Sequence, residues 1–322
     1  MLGLVLRAFG NTLSSRRRQG PLYPGWSFSF EVFTRVLALR SRALDPLSLP
    51  ERRRLQDKDG DREARRMRRA VERREATVGG VPGEWFTPRG KSPARTILYL
   101  HGGGFMEGSS RTHAEMLMRL ALESDARLFA PNYRLAPEHP FPAQLDDTRA
   151  VYRALLADGV RPEDLVVAGD SAGGNLTIVL LASLRDAGEP LPSRAAALSP
   201  WTDLPDRSGS LQANASRDWA APEDFDRWVA QYVGSHDPRN PLISPAYADL
   251  HGFPPLRVEV GTAEMLLDQV RAFADRARKA GVPLDYREHD GMVHDCYLFA
   301  AYFQNCKQAL CDLATWIRGT SS

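Results

Sequence analysis

Five short apolar runs, separated by segments with helical periodicity, constrain this chain more than any other feature. Thr96-Ile97-Leu98-Tyr99-Leu100 comes first. Ala126 to Ala130, Leu165-Val166-Val167-Ala168, Ala195 to Leu198 and Leu256 to Val260 follow. Each is apolar without alternation, as a strand covered on both faces must be. Between them His113 to Leu122, Pro142 to Leu156, Leu176 to Leu184 and Leu267 to Ala280 carry apolar residues at three- and four-residue intervals. Strand alternating with helix predicts βαβ units. The fold class is therefore α/β, with a mostly parallel central sheet flanked by helices. A last helix is expected over Tyr297 to Ile317.

Several classes are excluded by what is missing. No apolar run reaches the roughly 18 residues of a membrane span, so stable membrane insertion is not expected. Against 42 Lys and Arg stand 40 Asp and Glu. That surplus is too small to predict nucleic-acid binding. Cys296, Cys306 and Cys311 are too few and too clustered for a disulfide scaffold, and they lack partners at zinc-ligand spacing. No metal is expected, and a reduced, cytoplasmic setting is.

The chain ends differ from the middle. Leu2, Val5, Leu6, Phe9 and Leu13 recur at helical spacing, with Arg7 and Arg16 to Arg18 around them. The charge comes on the wrong side of the apolar run for a signal peptide. An amphipathic helix packed on its own protein is expected, and contact with a membrane surface is the alternative. The aromatics between Tyr23 and Phe33 must bury against a core or a ligand cavity. Residues 51–75 are dense in both charges and read as a solvated helix or a mobile segment. From Asp203 to Asn240 the alternation breaks, and Trp219, Phe225, Trp228 and Tyr232 make this an inserted helical excursion.

Gly169-Asp170-Ser171-Ala172-Gly173 lies between a predicted strand and a predicted helix. A sharp strand-to-helix turn strains the serine and leaves no room for neighbouring side chains, so glycines flank it. The serine is then exposed at the C-terminal sheet edge, a candidate nucleophile. His101-Gly102-Gly103-Gly104 follows another strand end, and its backbone can approach a ligand closely. The N–H groups of Gly103, Gly104 and Ala172 are the candidate donors to an oxyanion. His101 and Gly102 support that loop, and Asp170 braces the turn. His294, after the last predicted strand, is the candidate base. The acid comes from the loop after Leu256 to Val260. Glu264 is chosen because it lies nearer the strand end. Asp268 is the alternative, with helix capping as its own explanation. Activity is expected to fall as His294 protonates, near a pH of roughly 6.5.

Together with Tyr133-Arg134-Leu135-Ala136-Pro137-Glu138-His139-Pro140, Ser199-Pro200-Trp201-Thr202-Asp203 and Gly291-Met292-Val293-His294, these stretches resemble the bacterial hormone-sensitive-lipase family of α/β-hydrolase esterases. The resemblance implies an α/β-hydrolase core over 76–202 and 241–322. It also implies a helical cap from 1–75 and 203–240. Hydrolysis of short- to medium-chain carboxylic esters through an acyl-enzyme is implied, on a small-molecule substrate, without a cofactor and in a scaffold often dimeric. One departure stands out: Glu264 occupies the position where the family commonly has aspartate. Competing readings are a lipase on longer-chain esters, an amide hydrolase or deacetylase, and a ligand-binding protein on a hydrolase scaffold. The presence of His294 argues against the last.

Overall fold

The computed structural model describes residues 2–207 and 209–319. Met1, Ser208 and residues 320–322, which belong to the segments 1–75, 203–240 and 241–322, lie outside the described residues. Three helices open the chain: α1 (Leu2–Gln19), α2 (Phe28–Leu44) and α3 (Leu49–Glu63). Then come β1 (Val71–Val78), β2 (Val81–Pro88), β3 (Thr96–Leu100), α4 (Ala114–Ser124), β4 (Arg127–Pro131) and α5 (Ala143–Ala157). β5 (Leu165–Asp170), α6 (Ala172–Asp186) and β6 (Arg194–Leu198) continue the alternation. It is interrupted by α7 (Ser210–Ala213) and α8 (Pro222–Val233). It resumes with β7 (Leu256–Gly261), α9 (Leu267–Lys279), β8 (Leu284–His289) and α10 (Gln304–Arg318).

One sheet holds the strands in the order β1-β2-β4-β3-β5-β6-β7-β8. The β1–β2 and β2–β4 pairs are antiparallel, and every pairing from β4 to β8 is parallel. Helices α5, α6 and α9 cover one face, where Leu98, Leu100, Val167 and Val258 join their core. Helices α4 and α10 cover the other, against Ile97, Tyr99, Val166 and Ala168. Cover on both sides explains why these strands are apolar throughout rather than alternating.

Three expectations need correction. The sheet begins at Val71, inside the segment 1–75 assigned to a cap. Glu72, Arg73, Arg74 and Glu75 hid this strand, because β1 is an edge strand with only its end residues Val71 and Val78 buried. Gly79 and Gly80, both at positive φ, turn it into β2, and that pair was the available signal. The last helix does not start at Tyr297. A short 3₁₀ turn spans Cys296–Phe299, and α10 begins only at Gln304. The break lets Phe299 and Phe303 meet Phe33 of α2 at ring-centroid distances of 4.9 and 4.8 Å. Finally, α3 is anchored and not simply solvated. Arg53 donates to the carbonyls of Met106 and Ala136, 2.8 Å each, and pairs with Glu138 at 2.9 Å. Arg52 meets Glu107 at 2.6 Å. The charged helix thus grips the chain just beyond the glycine loop.

Candidate active site

Ser171 sits between β5 and α6 with φ 52° and ψ −116°, a strained conformation for a residue with a side chain. The strain is imposed by close packing of the turn on β3. A Cβ on Gly173 would lie 1.9 Å from the Leu100 carbonyl oxygen. The Ser171 N–H donates to the Leu198 carbonyl (2.8 Å), and its own carbonyl accepts from Trp201 N (3.1 Å). These bonds tie the turn to the end of β6.

His294 brings its Nε2 to 2.9 Å from Ser171 Oγ. Its Nδ1 lies 2.9 Å from Glu264 Oε2. The other Glu264 oxygen accepts from Gly261 N (2.5 Å) and Ser199 Oγ (2.7 Å). Glutamate reaches the imidazole because it starts three residues beyond the end of β7 and folds back over Gly261. Asp268 is not part of this constellation. It stands half exposed in the first turn of α9 and accepts from Ser210 N at 2.8 Å. A carboxylate there compensates the free N–H groups of a helix start.

The glycine loop is held from below. Asp170 Oδ2 accepts from Gly102 N (3.1 Å) and lies 3.1 Å from His113 Nε2, while Oδ1 accepts from Tyr99 (2.9 Å). His101 turns away from the serine. Its ring stacks on Tyr133 at 4.2 Å and its Nδ1–H reaches the Gly102 carbonyl (2.8 Å). Burial holds its pKa down to about 3, so the ring stays neutral. Among the described residues none accepts from the N–H groups of Gly103, Gly104 or Ala172. Gly104, at φ +61°, lies under the indole of Trp228 on α8. A Cβ at Gly104 would fall 2.7 Å from that ring.

Four groups around His294 escaped the sequence reading. Asp218 accepts from His294 N (3.1 Å) and Met265 N (2.9 Å), so one carboxylate from the inserted segment ties both loops together. Burial pushes its pKa up to about 6. Trp219 donates through Nε1 to the His294 carbonyl (2.9 Å). From the N-terminal segment, Trp26 Nε1 donates to the Gly291 carbonyl (2.6 Å) and Tyr23 donates to Asp290 (2.6 Å). Only their aromatic clustering signalled them. Asp295 is the fifth neighbour: it is buried in the left-handed region at φ 53°, with Oδ2 3.2 Å from His294 Nε2. Burial drives the Asp295 carboxyl well above the usual carboxylate range. For His294, burial alone would lower the pKa. The carboxylates of Asp295, Glu264 and Asp218 outweigh it and raise the imidazole to about 10. Among the described residues no group of three or more His, Cys, Asp or Glu is arranged to hold a metal ion.

A family model described as alpha/beta hydrolase fold matches residues 97–298. An acetyl-hydrolase of Streptomyces hygroscopicus is 42% identical over 219 residues, 68% of this chain and 73% of the relative. A mutant of the esterase E40 superposes with a TM-score of 0.84 at 40% identity, over 89% of this chain and 97% of the other. An esterase from the bacterial hormone-sensitive lipase family does so with a TM-score of 0.78 at 35% identity, over 98% of each chain. The strained serine turn, the glycine loop and these likenesses agree. The chain belongs to the α/β-hydrolase fold, in its bacterial hormone-sensitive-lipase family, and is a carboxylic ester hydrolase.

Proposed function

We propose that Ser171, His294 and Glu264 form the triad of a carboxylesterase for short- to medium-chain esters of small molecules. The observation that carries this reading is the unbroken run of two 2.9 Å contacts, serine to imidazole and imidazole to carboxylate. Ser171 Oγ attacks the ester carbonyl while His294 Nε2 takes its proton. The oxyanion forms against the N–H groups of Gly103, Gly104 and Ala172, at the positive end of α6. His294 then protonates the departing alkoxide, which leaves as the alcohol. Water next gives a proton to His294 and its oxygen to the acyl carbon. The acid is released as Ser171 recovers its hydrogen. Glu264 keeps Nδ1 protonated and steadies the imidazolium. The chemistry needs no cofactor.

Helices α1 to α3 and the inserted segment that holds α7 and α8 act as a cap in this reading. Trp228, with Trp201 and Phe225 at ring-centroid distances of 6.2 and 5.3 Å, forms an aromatic wall over the glycine loop. A wall so close to the oxyanion donors favours a small acyl group. The name of the acetyl-hydrolase relative points the same way. The test pairs a fluorophosphonate probe with a series of p-nitrophenyl esters of rising acyl length. The parent protein should gain one phosphonyl group on Ser171, with fluoride leaving as HF, and the Ser171→Ala variant should gain none. Hydrolysis should drop by about 10⁴-fold or more in that variant. Labelling elsewhere, or a rate that peaks on palmitate, would overturn the assignment of nucleophile or of acyl size respectively.

A further inference from the structure

Helix α1 has one buried side and one left largely exposed among the described residues, where Phe9 alone of the aromatic rings meets α2, edge-on to Phe28 at 5.1 Å. Its inner side, through Ala8 and Thr12, packs on α2. Arg16 pairs there with Glu31 at 2.7 Å, and Arg35 donates to Ser15 at 2.8 Å. The outer side carries Leu2, Val5, Leu6, Phe9 and Leu13 at three- and four-residue intervals, which places them in one stripe. These are five of the nine large hydrophobic side chains exposed among the described residues, with Leu2 at 75% and Leu6 at 63%. Exposed apolar side chains scattered singly need no explanation, but a contiguous stripe does.

Charge identifies what would cover the stripe. α1 contains Arg7, Arg16, Arg17 and Arg18 and no acidic residue. The rest of the chain is net acidic, since the overall excess is only +2. Arg17 is exposed at the edge of the stripe, and Arg7 and Arg18 are exposed further round the helix. A second α1 laid against the first would bring cations to a helix that has no carboxylate to pair with them. An anionic lipid surface satisfies both halves of the pattern: acyl chains take the leucines and phenylalanine, and phosphate groups take the guanidiniums. No described helix is long and apolar enough to cross a membrane, so the contact would be peripheral.

We infer that α1 docks this enzyme reversibly on anionic phospholipid surfaces, through the Leu2–Leu13 stripe, with Arg17 at its edge and the other exposed arginines of the helix adding attraction. The docking is independent of the triad. It would bring the enzyme to esters that partition into bilayers, because α1 leans on α2 and the segment between them holds the His294 loop through Tyr23 and Trp26.

Co-sedimentation with sucrose-loaded vesicles tests this. One set is phosphatidylcholine alone, and the other contains about a third phosphatidylglycerol. The full chain should pellet with the anionic vesicles and release as salt rises. Leu2→Glu combined with Leu6→Glu should reduce pelleting by tenfold or more, with hydrolysis of a soluble ester unchanged. Arg17→Gln should weaken binding to the anionic set by about fivefold and leave the neutral set unaffected. Three results would overturn the inference. The parent could fail to pellet with anionic vesicles. The double substitution could pellet like the parent. Light scattering could show that the double substitution turns a dimer into a monomer, which would make the stripe a seam between copies.

Discussion

Ser171 and the glycine loop rest on the sheet itself, whereas His294 and Glu264 hang on loops that remote segments hold in place. On the serine side the supports are mostly strand ends or their neighbours, Leu198, Trp201, and Asp170 under Gly102, with His113 at the start of α4 bracing Asp170. On the imidazole side the supports come from far along the chain. Asp218 and Trp219 reach in from the insertion, and Tyr23 and Trp26 from the N-terminal segment. Arg217 joins the two sets of supports, donating to the Leu22 carbonyl (3.1 Å) with its guanidinium over Tyr23. The difference teaches that this site is half scaffold and half clasp. A scaffold fails by local strain, whereas a clasp fails when a distant contact is lost.

The largest expected effect separates the two carboxylates near the clasp. Glu264→Gln should cut kcat/KM by about 10³-fold or more with little change in fold, because the wrong imidazole tautomer is then favoured. Asp268→Asn should change it by no more than about twofold. Equal losses in the two variants would sink the choice of Glu264. Next in size is the pH dependence. A raised imidazole pKa means the base is still protonated where an ordinary histidine is free. The rise of kcat/KM with pH should therefore lie above the 6.5 expected from the sequence. Asp295 faces Nε2, together with Ser171, while Glu264 faces Nδ1 and Asp218 the backbone. Asp295→Asn takes away the carboxyl group that raises the imidazole from the Nε2 side, and the rise should move to lower pH by about one unit. An unmoved profile would exclude Asp295 as a determinant of that pKa. The smallest effect tests the clasp at its edge. Trp26→Phe deletes the bond to Gly291 and should cost about 1 kcal/mol of stability, with a few-fold loss of kcat/KM. Stability lost with activity fully retained would make the N-terminal contact structural only.

Much of the sheet and of the serine side was legible in the amino-acid sequence. Continuous apolar runs mark doubly covered strands, and a serine between glycines after such a run marks the turn. β1 and β2 were not: β1, as an edge strand, admits charges such as Arg73 and Glu75, and β2 carries Pro82, Gly83 and Pro88, which read as a loop. The end of α10 nearest the site was misplaced for another reason. Phe299 and Phe303 obey their partners in α2 over helical propensity. Asp218 gave no sign of itself, since a lone aspartate in a loop looks the same whether it faces water or two backbone amides.

What the sequence determined by itself is whatever depends on neighbours along the chain: the strand and helix alternation, the cramped serine turn and the approachable glycine loop. These are steric demands, and sterics between adjacent residues can be read as a string. The tertiary structure decided which carboxylate faces His294, which remote side chains clamp its loop, and that one side of α1 stays bare. Hydrogen bonds and burial depend on distance in space, and residues such as Trp26 and Gly291 come within 2.6 Å only after the chain has folded.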